Sequence, residues 1–233
     1  MRPVLSAAAF CLFLLAPALA SAAAGRVTLA EGTATRTRAG APAATLTVGA
    51  EVEDHDTLET GDKSRLEVEL ADGSVLRLGA RGRLVVDSVT PVETSFRVKL
   101  TLALGELWSK VTRKVGPDAG YEVHTDRSVA GVRGTEFVVE AGDEHEVEVL
   151  EGKVEVALRD GSARHDLTPG QRLRIDRAGK TAGPAASRGE RAIAKWSRRD
   201  GDKLDRDRSR DRREDRRTKR MDRRELRRER WLR

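Results

Sequence analysis

The chain of 233 residues has one cysteine, Cys11, which lies inside an apolar N-terminal run. No disulfide can form within one chain, and no cysteine set can hold zinc. Aromatic residues are only 3% of the sequence, so any core must be aliphatic. Four histidines occur, His55, His124, His145 and His165, and no pair has His-x-His or His-x3-His spacing. A Gly-x-Ser-x-Gly elbow and a phosphate-cradling glycine loop ending in lysine are also missing. The residues therefore point to no metal, no cofactor and no catalytic constellation, and the expectation is a protein that is not an enzyme.

Charge is what the chain has in excess, at 35% of residues, and it is unevenly placed. From Arg188 to the end there are 21 Lys/Arg and 11 Asp/Glu, a net of +10, which leaves 23 against 27, a net of −4, for everything before. The basic balance belongs to the tail.

Met1-Arg-Pro precedes an apolar run from Val4 to Ala20, and Ala18-Leu-Ala20 and Ser21-Ala-Ala-Ala24 offer small-residue cleavage sites. One positive charge, a short apolar core and an Ala-x-Ala end read as a secretory signal peptide over residues 1–24. The run is shorter than the ~20 residues a membrane span needs. Phe10 before Cys11 speaks against lipid attachment. The expected location is periplasmic or secreted.

Residues 25–177 read as strands. Leu66, Val68 and Leu70 alternate with Arg65, Glu67 and Glu69. Phe96, Val98, Leu100, Leu102 and Leu104 form the longest alternating run, and Val147, Val149, Val154 and Val156 continue the pattern. Period-two patterning with charge between describes half-buried antiparallel strands. Asp72-Gly73 and Asp160-Gly161, each followed by serine, predict two-residue hairpin turns. Leu46-Thr-Val-Gly-Ala-Glu-Val52 and Leu167-Thr-Pro-Gly-Gln-Arg-Leu173 are similar enough to suggest an internal repeat. The expected fold class is all-β, with short antiparallel strands in a solenoid-like, roll-like or sandwich-like domain. A cupin-like barrel is the competitor.

Residues 178–189 are rich in Ala and Gly with Pro184 and read as a linker. Residues 190–233 are Arg with Asp and Glu, and read as a charged helix or a disordered tail. Ile193 and Trp196 stand three apart and can dock one helical turn onto the body. The tail suits an anionic membrane face or cell-wall polymer. Dense arginine also suits nucleic acid, but the interspersed acids and the lack of stacking aromatics weigh against it.

His55, between two aspartates, and His145, between two glutamates, read as members of charged turns in solvent. Glu67 and Glu69, on one strand face, read as solvated. One stretch stands out, Gly131-Val132-Arg133-Gly134-Thr135-Glu136-Phe137. Its glycines suggest a tight bend or a close packing of backbones. Arg133 has two readings, a fork onto a partner's carboxylate or phosphate, or a lock on neighbouring backbone carbonyls.

That stretch resembles the signature of the FecR-domain family of bacterial envelope proteins. The resemblance extends through Asp56-Thr-Leu-Glu-Thr-Gly-Asp62, Asp72-Gly-Ser-Val-Leu-Arg-Leu78, Leu104-Gly-Glu-Leu-Trp-Ser-Lys-Val111, Tyr121-Glu-Val-His-Thr125 and Val149-Leu-Glu-Gly-Lys-Val154. It implies a rolled β domain, with Gly131, Val132, Arg133, Gly134, Thr135 and Phe137 as a structural family motif. Well-known members relay signals from outer-membrane receptors to sigma factors through an N-terminal cytoplasmic domain. Here only Met1–Pro3 precede the apolar run, so the expectation is an exported FecR domain that stands alone. Its expected role is a binding module for a protein or glycan, or a signalling regulator acting in trans.

Overall fold

The computed structural model describes residues 23–92, 95–111, 120–132 and 134–187. Most of the segment read as a signal peptide, the segment read as a tail over residues 190–233 and Arg133 lie outside the described residues. Among the described residues, seventeen strands join in one hydrogen-bonded network folded into two layers.

In the first sheet, sheet A, β1 (Gly25–Glu31) lies between β4 (Glu51–Val52) and β6 (Arg65–Leu70). The sheet continues through β7 (Val75–Leu78) to the C-terminal part of β9 (Ser95–Lys110). It then runs through β12 (Glu136–Ala141), β13 (Glu146–Glu151), β16 (Gln171–Arg174) and β17 (Ala185–Ala186). In sheet B the order is β3 (Ala44–Thr45), β2 (Ala34–Thr37), β5 (Thr57–Thr60), β8 (Arg83–Val92) and the N-terminal part of β9. Beyond β9 come β10 (Gly120–His124), β11 (Ser128–Val132), β14 (Val154–Leu158) and β15 (Arg164–Leu167). From β10 onward, successive hairpins fall alternately into the two sheets. The layers stay open at both ends among the described residues, so the architecture is a rolled sandwich rather than a closed barrel.

β9 is the shared member, and Gly105 is where it changes sheets. Val98, Leu100 and Leu102 point into the core before it; Leu107 and Ser109 do so after it. The parity switches because the interior lies on opposite sides of the two sheets. Gly105 sits at φ 92°, and a Cβ there would come within 2.7 Å of the Gly82 Cα. The alternation predicted from Phe96 to Leu104 therefore fails at its last residue, which is 49% exposed.

The strands are mostly antiparallel, as expected, with one exception: β9 and β10 run parallel. Such a pair needs a crossover, and the end of β9 in the opposite sheet supplies part of it. The hairpin turns are also longer than two residues. Leu70 N donates to Ser74 O and Gly73 N to Leu70 O, which closes a three-residue loop with Gly73 at φ 79°. Asp72 begins that turn by accepting from Ser74 N at 2.9 Å, as Asp160 does from Ser162 N in the second hairpin.

The suspected repeat is real in three dimensions. β1 to β4 run through the sheets in the order A, B, B, A, and β13 to β16 do the same. Thr47–Ala50 and Thr168–Gln171 are the matching turns from sheet B to sheet A, each closed by a hydrogen bond of 3.0 Å. Gly49 and Gly170 take φ of 91° and 78° at their third positions, as a type II turn requires. One aliphatic core fills the space between the layers, and it includes Ala24, so the folded domain begins by that residue. The segment read as a linker provides β17, with Ser187 N donating to Gly170 O.

Candidate binding surface

The singled-out stretch spans β11, a corner, and the start of β12. At the corner Gly134 has φ 68° and faces the Glu151-Gly152-Lys153 turn. A Cβ on Gly152 would lie 2.7 Å from the Gly134 carbonyl. Thr135 Oγ1 donates to Lys153 O at 3.0 Å, while Thr135 O accepts from Val111 N at 2.9 Å. Phe137 then enters the core and meets Tyr121 edge to face, with ring centroids 6.2 Å apart. Tyr121 Oη donates to Ser109 Oγ, and burial pushes its phenol well above the ordinary range. Thr135, Phe137 and Val139 share the inward face, as the alternation predicts.

Gly131 is different. It lies inside β11, paired with Glu122 and Glu155, and its φ is not positive. A Cβ there would meet nothing nearer than the Glu155 carbonyl at 3.9 Å. The expected tight bend holds at Gly134 and not at Gly131. What the missing side chain creates is a cleft on the outer face of sheet B. Gly120 and Gly131 form its floor, Glu122, Lys153, Glu155 and Asp166 its walls, and its volume is about 550 Å³. The walls are tied in pairs: Lys153 to Asp166 at 2.7 Å, Arg164 to Glu155 at 3.1 Å, and Glu122 to His124 at 2.8 Å. The placement of Arg133, two residues further along the chain, lies outside the described residues.

The histidines divide. His55 is exposed in a turn at φ 66°. His145 contradicts its solvent reading, since its side chain is 0% exposed. Its Nε2 lies 3.0 Å from Ser128 Oγ and 3.2 Å from Thr125 Oγ1, and its Nδ1 lies 3.6 Å from Asp126 Oδ1. Burial lowers its pKa to about 4, with Asp126 opposing the shift. The signal was present: His145 has the same parity as the inward Val147 and Val149. Flanking glutamates obscured it.

Ser128, His145 and Asp126 are in the order of a nucleophilic triad, but Ser128 is 1% exposed and shares the imidazole with Thr125. A substrate carbonyl cannot reach that hydroxyl, so the cluster acts as a tie between two turns. Arg127 strengthens it by donating to Gly142 O at 2.9 Å, as does Arg159 to Thr125 O at 3.0 Å.

Two carboxylates are likewise less solvated than predicted. Glu67 is buried on the outer face of sheet A, accepting from Thr28 Oγ1 and Arg77 Nε at 2.6 Å each, while Glu69 is exposed. Asp56 is fully buried and accepts a bidentate pair from Arg38 at 2.9 and 3.1 Å. Two arginines and a backbone amide explain that burial, because an unpaired carboxylate there would be costly. Among the described residues no three His, Cys, Asp or Glu gather in a way that could hold a metal ion.

The described residues thus form an open two-layer β roll with a glycine-floored cleft on sheet B. Residues 56–155 match the FecR protein family model, so the chain carries a FecR domain there. The folded unit extends beyond this match on both sides. No curated protein matches the sequence. Two crystal structures of a candidate anti-sigma factor from Parabacteroides distasonis ATCC 8503 are similar, with TM-scores of 0.49 and 0.48 at 21% and 22% identity. Each match covers 59% of this chain, and 62% and 63% of the other chains. The chain thus spans less than two thirds of either.

Proposed function

We propose that the protein is a regulator of the signalling class that works by binding rather than catalysis, and that the cleft on sheet B is where its FecR domain meets a partner. Gly131 carries this reading. The backbone at that position would accept a side chain without strain or clash, so the fold does not require glycine, whereas the cleft does. Among the described residues, the groups around the opening are exposed charged pairs. Such a surface suits recognition of a protein or glycan through exchangeable salt links. The partner belongs to the cell envelope, reached after cleavage of the leader behind Ala20. That position leaves Ala24 in place, where its carbonyl accepts from Ala71 N at 2.9 Å.

Photo-crosslinking tests the proposal. A photoreactive residue at Asp166 beside the cleft is compared with one at Glu59, remote on sheet B, in cells that produce the protein. A discrete adduct at position 166 alone, lost in the folded Gly131→Leu variant, is the expected result. Equal adducts at both positions, or an adduct indifferent to Gly131→Leu, would overturn it.

A further inference from the structure

We propose that the protein pairs with a second copy of itself through β15, the edge strand of sheet B at the C-terminal end of the roll. The two β15 strands run antiparallel about a two-fold axis at His165. Arg164 then stands opposite Asp166 of the second copy, and Asp166 opposite its Arg164.

The backbone supplies the first argument. Leu158 N donates to Ala163 O at 3.0 Å across the β14–β15 hairpin, and hydrogen-bonded partners recur at every second residue of an antiparallel ladder. Val156–His165 and Val154–Leu167 are therefore bonded pairs, while Ala157–Arg164 and Glu155–Asp166 are not. The other side of β14 agrees. Arg159 N donates to Arg127 O at 2.9 Å, so Glu155 and Ala157 turn their backbone groups towards β11. The amides and carbonyls of Arg164 and Asp166 thus point away from the sheet. Both residues are exposed, and among the described residues no hydrogen bond reaches those groups. An unpaired row of this kind is a template for another strand.

The other edges are blunted. Beside β4, side chains cap the outward groups: Glu51 O accepts from Arg36 Nη1 at 2.6 Å, and Glu53 N donates to Asp56 Oδ2 at 2.8 Å. β17 follows Pro184, which has no N–H, and β3 is only two residues long behind Pro42. β15 has four residues and offers both a donor and an acceptor at each of its outward-turned positions.

Charge selects the occupant. Edge strands are commonly kept apart by charged side chains, and charges of one sign would repel a second copy. β15 instead carries Arg164 and Asp166 on its outer face, tied within the protomer to Glu155 and Lys153. Under the two-fold this pattern is its own complement. Those intramolecular pairs stay in place and continue across the seam with alternating sign: Glu155, Arg164, then Asp166 and Lys153 of the second copy. Opposite charges facing each other across strands are favourable. Parity agrees, because the same register sets outward backbone groups against outward backbone groups. At its centre His165 meets its own copy. His165 has the parity of the inward Leu167, and its Nε2 is buried without a hydrogen-bond partner. A second imidazole brought beside it is able to donate or to accept. The contact is isologous and closes at two copies. It is made by the β15 edge and not by the Gly131 floor, so it is independent of what occupies the cleft.

Sedimentation equilibrium and residue-resolved amide exchange of the full chain, across a range of concentrations, test the proposal. The expected result is a reversible monomer–dimer equilibrium. As the dimer fills, exchange of the Arg164 and Asp166 amides slows several-fold, while that of His165 and Leu167, already bonded to β14, does not change. Arg164→Asp or Asp166→Arg alone sets like charges against each other and weakens dimerisation about tenfold. An equimolar mixture of the two variants restores it, since the register matches Asp with Arg at both pairs. Both variants keep the circular dichroism spectrum of the parent, because exposed ion pairs contribute little to stability. Gly131→Leu dimerises as the parent does. A chain that stays monomeric up to its solubility limit would overturn the proposal. So would a dimer whose Arg164 and Asp166 amides exchange as fast as in the monomer, or a mixture of the two variants that fails to associate.

Discussion

The two rungs β1–β4 and β13–β16 follow one path and solve its corners with different materials. Both turn first at a glycine, Gly32 at φ 73° and Gly152 at φ 84°. In the first rung the neighbouring hydroxyl is Ser64 Oγ, which accepts from Thr33 N at 2.9 Å. In the second it is Thr135 Oγ1, which donates to Lys153 O at 3.0 Å. A Cβ on Gly32 would press on the Ser64 hydroxyl at 2.4 Å, a side-chain atom that can turn away. A Cβ on Gly152 would press on the Gly134 carbonyl at 2.7 Å, a backbone atom that cannot. The second rung is the rigid one because it is braced against the FecR motif.

The comparison predicts a graded set of outcomes. Gly152→Ala should cost about 3 kcal/mol or more, combining left-handed strain with a backbone clash, and chemical denaturation measures it directly. Gly32→Ala should cost about 2 kcal/mol; equal costs at the two sites would break the proposed difference in rigidity.

The second prediction concerns acid. The second rung is headed by buried His145, whereas the first is followed by buried Asp56. Burial lowers the His145 pKa from 6.5 to about 4. The folded state then binds fewer protons than the unfolded one across that window. His145 therefore contributes stability that is fully present above pH 6.5 and is lost as pH falls towards 4. The loss totals about 3 kcal/mol. A His145→Gln variant should show a flatter pH profile between those limits, and an unchanged slope would remove His145 as the cause.

Smaller effects follow at the second corners. Cβ atoms on Gly49 and Gly170 would meet nothing within 4 Å. Alanine at either should cost only the backbone strain, about 1 kcal/mol, and the same at both. A calorimetric melt that separated them would sharpen the difference between rungs. The smallest effect belongs to Gly131→Ala, expected within about 0.5 kcal/mol of the parent. A large destabilisation there would make Gly131 architectural and withdraw the argument for the cleft.

Much of this was legible in the linear order of residues. Alternation placed Leu66, Val68, Leu70, Val147, Val149, Val154 and Val156 inside, because a strand has two faces and only one can be wet. The repeat was legible as two seven-residue echoes, since a turn with a left-handed third position calls for glycine wherever it recurs. The Thr135–Phe137–Val139 face was equally plain. Leu104, Glu67 and His145 were misread for one reason: each depends on what another part of the chain brings beside it. Gly105 turns a continuous pattern into two, Arg77 and Thr28 make a strand-face glutamate burial-tolerant, and Thr125 and Ser128 do the same for an imidazole flanked by acids.

The amino-acid order by itself determined the all-β class, the inward faces and the corners, because side-chain parity and positive φ are local properties. Only the tertiary structure decided which sheet each strand joins, that Gly131 floors a cleft while Gly134 packs a corner, and that Asp56 and His145 are buried. Those outcomes depend on distances between segments far apart in the chain, and cross-strand register sets them.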